Sequence, residues 1–208
     1  MLCVCVNVTL LLGYPTNNLS QEQVAAPIYK DGDFWVFKVT RTSANVGSTS
    51  TAFLDGDYEV SYASGGLKAF ELTGSEKVEI THNISYLQGM IGRDVQDLEY
   101  QFLRFPLIVG QKWSREWRQR SPRTNRVESR QAEHRVVGVE QIATRAGSYR
   151  AFKVESELVT PVGGRGSYIY YYSPETKSVV KFAVTDTGPQ GNFSGKREVE
   201  LIRFGTVP

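Results

Sequence analysis

Cysteine and histidine are scarce, with two of each in 208 residues. That excludes a conventional Cys/His zinc finger and a scaffold stapled by disulfides. No uninterrupted apolar run reaches about 18 residues, so no ordinary membrane-spanning helix is encoded. A surplus of one charge sign is missing too. The 24 Lys+Arg and 22 Asp+Glu leave a formal net charge of +2, which argues against a polycationic nucleic-acid binder. Gly-X-Ser-X-Gly, the phosphate-loop Gly-Lys-Ser/Thr and His-Glu-X-X-His are all absent. What remains is 40% apolar and 12% aromatic, enough to build a packed core in one domain of ordinary size.

Met1–Gly13, MLCVCVNVTLLLG, carries no charged side chain. It is too short to span a bilayer but has the length of a secretory h-region, although the basic n-region is lacking. Ala25 and Ala26 offer small residues for a cleavage site. The alternative is a buried strand, since Val4, Val6, Val8 and Leu10 alternate with other residues. Residues 1–26 therefore read as an export signal and spacer, and 27–208 as one antiparallel β domain. Cys3 and Cys5 lie in the leader, and Leu2 and Val4 before them are too large for a lipoprotein acceptor site. The sequons at Asn7, Asn18, Asn83 and Asn192 carry no assigned role.

From Asp33 onward, period-two alternation separated by turn chemistry recurs to the end. Trp35, Phe37 and Val39 share one face, and Lys38 and Thr40 the other. Tyr58, Val60 and Tyr62 alternate with Glu59 and Ser61, and Gly65-Gly66 offers the positive φ of a hairpin turn before Phe70 and Leu72 return. Val78 and Ile80 continue the pattern, Leu98–Phe105 is apolar or aromatic on both faces, and Val136, Val137 and Val139 fall in another run. Phe152, Val154 and Leu158 oppose Lys153, Glu155 and Glu157. Tyr168–Tyr172 is strongly β-prone. Ser173-Pro174-Glu175-Thr176 is a turn because proline presets φ at its second position. Val179–Val184 returns, Gly188–Asn192 is a loop and Arg197–Phe204 is the last strand. Only Ser85–Leu98 approximates helical spacing, and Gly89 and Gly92 weaken it, so it reads as a loop or short helix. Short turns favour antiparallel neighbours. The fold class is all-β, a curved sheet or half-open barrel, with a sandwich as the alternative.

Phe105-Pro106-Leu107-Ile108-Val109-Gly110-Gln111-Lys112-Trp113 resembles a P-L-x-V-G-x-x-W element. Tyr170–Lys181, with Tyr172-Ser173-Pro174-Glu175 at its centre, resembles a Y-Y-S-P-E-x-G-x-V-V-K hairpin. Together they resemble uncharacterised bacterial envelope proteins of the TapB-like and related type. The resemblance implies a secreted or periplasmic antiparallel β protein, in some relatives a half-open barrel, with no catalytic residues to carry over. Thr176-Lys177-Ser178 stands where the pattern has glycine in the turn.

Ser114–Gln131, SREWRQRSPRTNRVESRQ, holds six Arg and two Glu, a net of +4. Ser121–Asn125 reads as a hairpin tip. Arginine suits planar, bidentate contact with carboxylate or phosphate, so Trp113, Trp117, Arg115, Arg118, Arg120 and Arg123 are the candidate ligand-binding residues. Strand alternation puts Trp113, Arg115 and Trp117 on one face and Glu116, Arg118 and Arg120 on the other. A solvated hairpin whose edge charges discourage strand-to-strand association accounts for the same residues without a ligand.

No catalytic, metal or cofactor set emerges. His82 is in register with Val78 and Ile80, and His134, between Glu133 and Arg135, reads as exposed. Gly163-Gly164-Arg165-Gly166 opens a strand and reads as a loop. Asp55 with Asp57, and Asp94 with Asp97 and Glu99, are the carboxylates that a glycoside hydrolase would need. The expected function is a non-enzymatic secreted or periplasmic envelope protein that binds a lipid or other amphipathic ligand on the concave side of its sheet. One alternative is a scaffold module that meets an envelope partner through 114–131, and another is a carboxylate-dependent glycoside hydrolase. An anionic envelope ligand fits the arginines, and nucleic acid is not expected.

Overall fold

A computed structural model describes residues 22–43, 55–81, 87, 89–91, 103–120, 127–160 and 163–208. Its strands are β1 (Gln23–Val24), β2 (Phe34–Ser43), β3 (Gly56–Ala63), β4 (Gly66–Thr73), β5 (Glu76–Ile80) and β6 (Leu107–Ile108). They continue with β7 (Lys112–Arg120), β8 (Val127–Thr144), β9 (Gly147–Val159), β10 (Arg165–Ser173), β11 (Ser178–Thr187) and β12 (Phe193–Gly205). Ten of them form one sheet in the order β5-β4-β3-β2-β12-β11-β10-β9-β8-β7, while β1 and β6 form a small separate pair. Each described pairing is antiparallel. The sheet is thus two meanders, β2 to β5 and β7 to β12, joined where β2 pairs with β12.

Local chemistry explains the hairpins. At the β3–β4 turn the positive φ angles belong to Ser64 (52°) and Gly65 (75°), one residue earlier than the Gly65-Gly66 pair expected from sequence. Gly66 instead opens β4 opposite Ala63. At the β10–β11 turn Lys177 takes φ 54°. Its Nζ donates to the Asp33 carboxylate at 3.0 Å. That contact helps offset the cost of a left-handed side-chain residue.

The sheet is open, with β5 and β7 at the two ends of its order, but it curls strongly. The backbone N–H of Ala146, in the β8–β9 turn, donates to Leu201 O on β12 at 3.4 Å. Arg145 N–H donates to Glu200 Oε1 at 2.8 Å, and the rings of Tyr149 and Phe204 meet edge-on at 5.9 Å. In a flat sheet β9 and β12, three places apart, would stand about 14 Å from each other. Curvature brings them into contact, the half-open barrel form of the expected fold.

The inner face carries one core cluster, which includes Trp35, Phe37, Val39, Tyr170, Phe182 and Leu201. Trp35 is fully buried and its indole N–H donates to Thr176 O at 2.6 Å. Of the Ser85–Leu98 stretch, the described Gly89 and Met90 are helical together with Leu87, and Leu87, Met90 and Ile91 are fully buried in the core. Leu103 and Leu107 join them. Leu103–Phe105 is not a strand, contrary to its apolar pattern; the Phe105 ring instead packs edge-on against Tyr172 at 5.1 Å.

Candidate site at the polar end of the inner face

The pairing register traces the inner face strand by strand, because alternate side chains point to opposite sides. Val199, Phe182, Tyr170, Val154 and Val136 form a buried apolar row across β12 to β8. One step toward the β7–β8 hairpin tip, the row becomes Arg197, Val184, Tyr168, Ser156, His134 and Trp113. The next is Gly195, Asp186, Gly166, Leu158, Ala132 and Arg115, and beyond it Trp117 pairs with Arg130. Within three steps an apolar lining turns into one rich in arginine and aromatic rings.

The edge strand β7 supplies the aromatics. Trp113, Arg115 and Trp117 are half-buried on the inner side, while Ser114, Glu116 and Arg118 are exposed on the other. The Arg115 guanidinium lies 5.5 Å from the centre of the Trp117 ring, a cation–π distance. Outside, Ser129 donates to Glu116 Oε1 at 2.6 Å. Of Arg120 only the backbone pairing with Val127 is described, and Arg123 lies outside the described residues, as does His82. The residues grouped by sequence thus divide: Trp113, Arg115 and Trp117 come together on the inner side, and Arg118 turns away.

His134 corrects an expectation. It is buried, not exposed, because it falls in step with Val136 on the inward parity of β8. Its ring stacks on Trp113 with centroids 5.0 Å apart and planes 7° from parallel. Its Nδ1 shares a 2.6 Å hydrogen bond with Ser156 Oγ. Burial, with Arg115 adding a smaller push, lowers its pKa to about 4. The ring is neutral at pH 7 and serves as packing.

Sequence reading missed the far wall. Arg130, Tyr168, Asp186 and Arg197 hold positions of the inward register on four strands, β8, β10, β11 and β12. Gly166 makes space for Tyr168 and Asp186. A Cβ there would lie 2.7 Å from the Tyr168 ring, 3.0 Å from its hydroxyl and 2.9 Å from Asp186 Oδ1. Burial raises the Asp186 pKa, and the guanidiniums of Arg197 and Arg130 partly reverse the rise. The signal for Arg130 was available, since Arg130, Ala132, His134 and Val136 alternate. Arg197 and Asp186 needed a register that no local pattern supplies.

At the rim, Glu116, Ser129, Arg130, Gln131, Val159 and Thr160 line a shallow depression of about 270 Å³. Among the described residues no group of three or more His, Cys, Asp or Glu is placed to hold a metal ion. Asp55 accepts the Arg41 backbone N–H at 2.5 Å, a loop-capping contact, while Asp94, Asp97 and Glu99 lie outside the described residues. No helix among the described residues is long and apolar enough to cross a membrane.

No family model and no curated protein matches this chain. Among solved structures, it is similar to the hypothetical lipoprotein YmcC from Escherichia coli, at 8% identity and a TM-score of 0.39, over 84% of this chain and 86% of that one. It is also similar to a Bacteroides fragilis protein of YmcC-like fold, provisionally described as exported, at 12% identity and a TM-score of 0.33, over 86% and 97% of the two chains. A provisionally described lipoprotein from Parabacteroides distasonis gives 12% identity and a TM-score of 0.39, over 89% and 100%. TM-scores this low carry no argument about family or function, so the function is read from the residues themselves.

Proposed function

We propose that this protein is a non-enzymatic constituent of the bacterial envelope that binds an amphipathic ligand, foremost a lipid, at the polar end of its inner sheet face. The observation that supports the reading is the inward Trp113-Arg115-Trp117 edge of β7, which continues a surface that turns apolar within two rungs. A ligand with one polar group and one apolar portion matches that gradient. The core cluster on that face already includes the chain's own Leu87, Met90, Ile91, Leu103 and Leu107, which leaves the polar end as the place for a ligand. The uncharged apolar stretch Met1–Gly13, read as an export signal and lying outside the described residues, is the reason for placing the protein in the envelope.

Organic extraction of the purified protein followed by mass spectrometry tests the reading. Stoichiometric lipid, or uptake of added lipid by stripped protein, is expected; neither being seen rejects it. A second reading has its own support. β7 ends the sheet order, and Glu116 and Arg118 stand exposed on its outer side. Such a strand suits an envelope-protein contact, and Arg118→Glu would abolish capture of that partner in a pull-down.

A further inference from the structure

We infer that the end of the sheet bearing the β7–β8, β9–β10 and β11–β12 connections is a docking surface for an anionic lipid bilayer. Val127, Val159 and Phe193 are 56%, 50% and 45% exposed, and each begins or ends a strand at this end. Register sets a cation among them. Arg165, exposed at the start of β10, stands opposite Val159 on one side and Thr187 on the other, and Thr187 stands opposite Phe193. Adjacent strands lie about 4.8 Å apart, so Arg165 is beside Val159, and Phe193 lies about 14 Å from Val159. Arg118, exposed on the outer side of β7, pairs with Ser129, two residues along β8 from Val127. Exposed apolar side chains interleaved with arginine suit a bilayer surface, where the first enter the acyl boundary and the second meet lipid phosphate.

Carboxylates mark the limit of the contact. The segments that join the strands here, residues 121–126 (SPRTNR), 160–164 (TPVGG) and 188–192 (GPQGN), contain none. In the outward row of Val159 and Arg165 the carboxylate is Glu116, which accepts the Ser129 hydroxyl at 2.6 Å. In the next outward row, farther from the end, Glu133 and Glu157 stand directly opposite each other and both are exposed. An anionic surface repels that pair, so the footprint is confined to the strand ends. The opposite end of the molecule also exposes apolar side chains, Ile28 and Val207, but it presents Asp31 and Glu175 with them. The anchoring residues sit at the ends of strands rather than along an edge, which favours a membrane over a partner's strand. The docking surface does not depend on the ligand reading, since a protein carrying no lipid would dock in the same way.

Flotation of the exported protein with vesicles tests the surface. It is expected to float with phosphatidylglycerol and phosphatidylcholine in equal parts, to be released by high salt, and not to float with phosphatidylcholine alone. Arg118→Gln combined with Arg165→Gln is expected to weaken binding about tenfold or more, as is Val159→Ser combined with Phe193→Ser. Ile28→Ser combined with Val207→Ser is expected to leave it unchanged. All six positions are exposed, so these variants keep the fold. Absence of flotation with the anionic vesicles, or equal flotation with phosphatidylcholine alone, would overturn the inference. So would arginine or apolar variants that bind no worse than the Ile28 and Val207 variant, or capture of an envelope protein at this end without flotation. Flotation of a protein that yields no lipid on extraction keeps the docking surface and rejects the lipid ligand. Bound lipid without flotation keeps the ligand and rejects the surface.

Discussion

Asp33 is completely buried and carries three contacts. Its carboxylate accepts the backbone N–H groups of Lys30 at 3.0 Å and Val207 at 2.7 Å, and the Lys177 ammonium at 3.0 Å. Burial alone would raise its pKa, but these donors together hold it below the usual 3.8. The stabilisation is therefore present above that value and is lost as pH falls through the lower folded pKa. Asp33→Ala removes an anchor shared by three chain segments and leaves Lys177 without its carboxylate, at a cost of roughly 3 kcal/mol or more; urea denaturation at pH 7 measures it. Lys177→Gly loses the same ion pair but is freed of an unfavourable φ, so it is expected to be about 1 kcal/mol milder than Lys177→Ala. His134 has the opposite chemistry and a different pH window. Its folded pKa of about 4 lies below the ordinary 6.5, so the fold loses stability as pH drops below 6.5, approaching roughly 3 kcal/mol below pH 4. His134→Phe keeps a ring against Trp113 and is expected to flatten that part of the stability–pH curve. An unchanged curve would show that the imidazole does not resist protonation.

At the scale of elements, the alternation of β2, β9 and β12 was plain in the sequence, as was the Pro174 turn, because each depends on neighbours in the chain. What stayed hidden depends on partners far apart. The pairing of β2 with β12 joins residues separated by most of the chain. The register shift between Val136 and Gly138 lets Val136 face Val154 and Val139 face Phe152, so simple counting fails beyond it. The inward positions of Asp186 and Arg197 follow from such registers rather than from spacing. The small β1–β6 pair was likewise not foreseen. Gln23 and Val24 pair with Ile108 and Leu107, Glu22 O accepts the Val109 N–H, and Glu22 meets Arg150 at 2.5 Å. Removal of residues 1–26 would discard these contacts, so N-terminal sequencing of exported material is expected to find a start at or before Glu22. A start at Pro27 would show that the pair is dispensable. Met90, fully buried on the helical turn that packs into the core, offers a second check. Met90→Ala is expected to cost about 2–5 kcal/mol in thermal or urea unfolding; a negligible change would mean the turn is not part of the core.

Across the whole molecule, one long sheet curls until the β8–β9 turn touches β12, and its inner face grades from a filled apolar core to an arginine- and tryptophan-bearing end. Of the three tryptophans, Trp35 sits sealed in the core beside the β10–β11 turn, and Trp113 and Trp117 stand half-buried at the opposite end. That placement makes their fluorescence a positional reporter. Titration with a brominated fatty acid, an apolar quencher bearing one carboxylate, addresses the ligand, the location and the polarity gradient together. Saturable quenching confined to Trp113 and Trp117, with emission from Trp35 persisting at saturation, is the predicted result. Quenching that never saturates, or that extinguishes Trp35 equally, would contradict it.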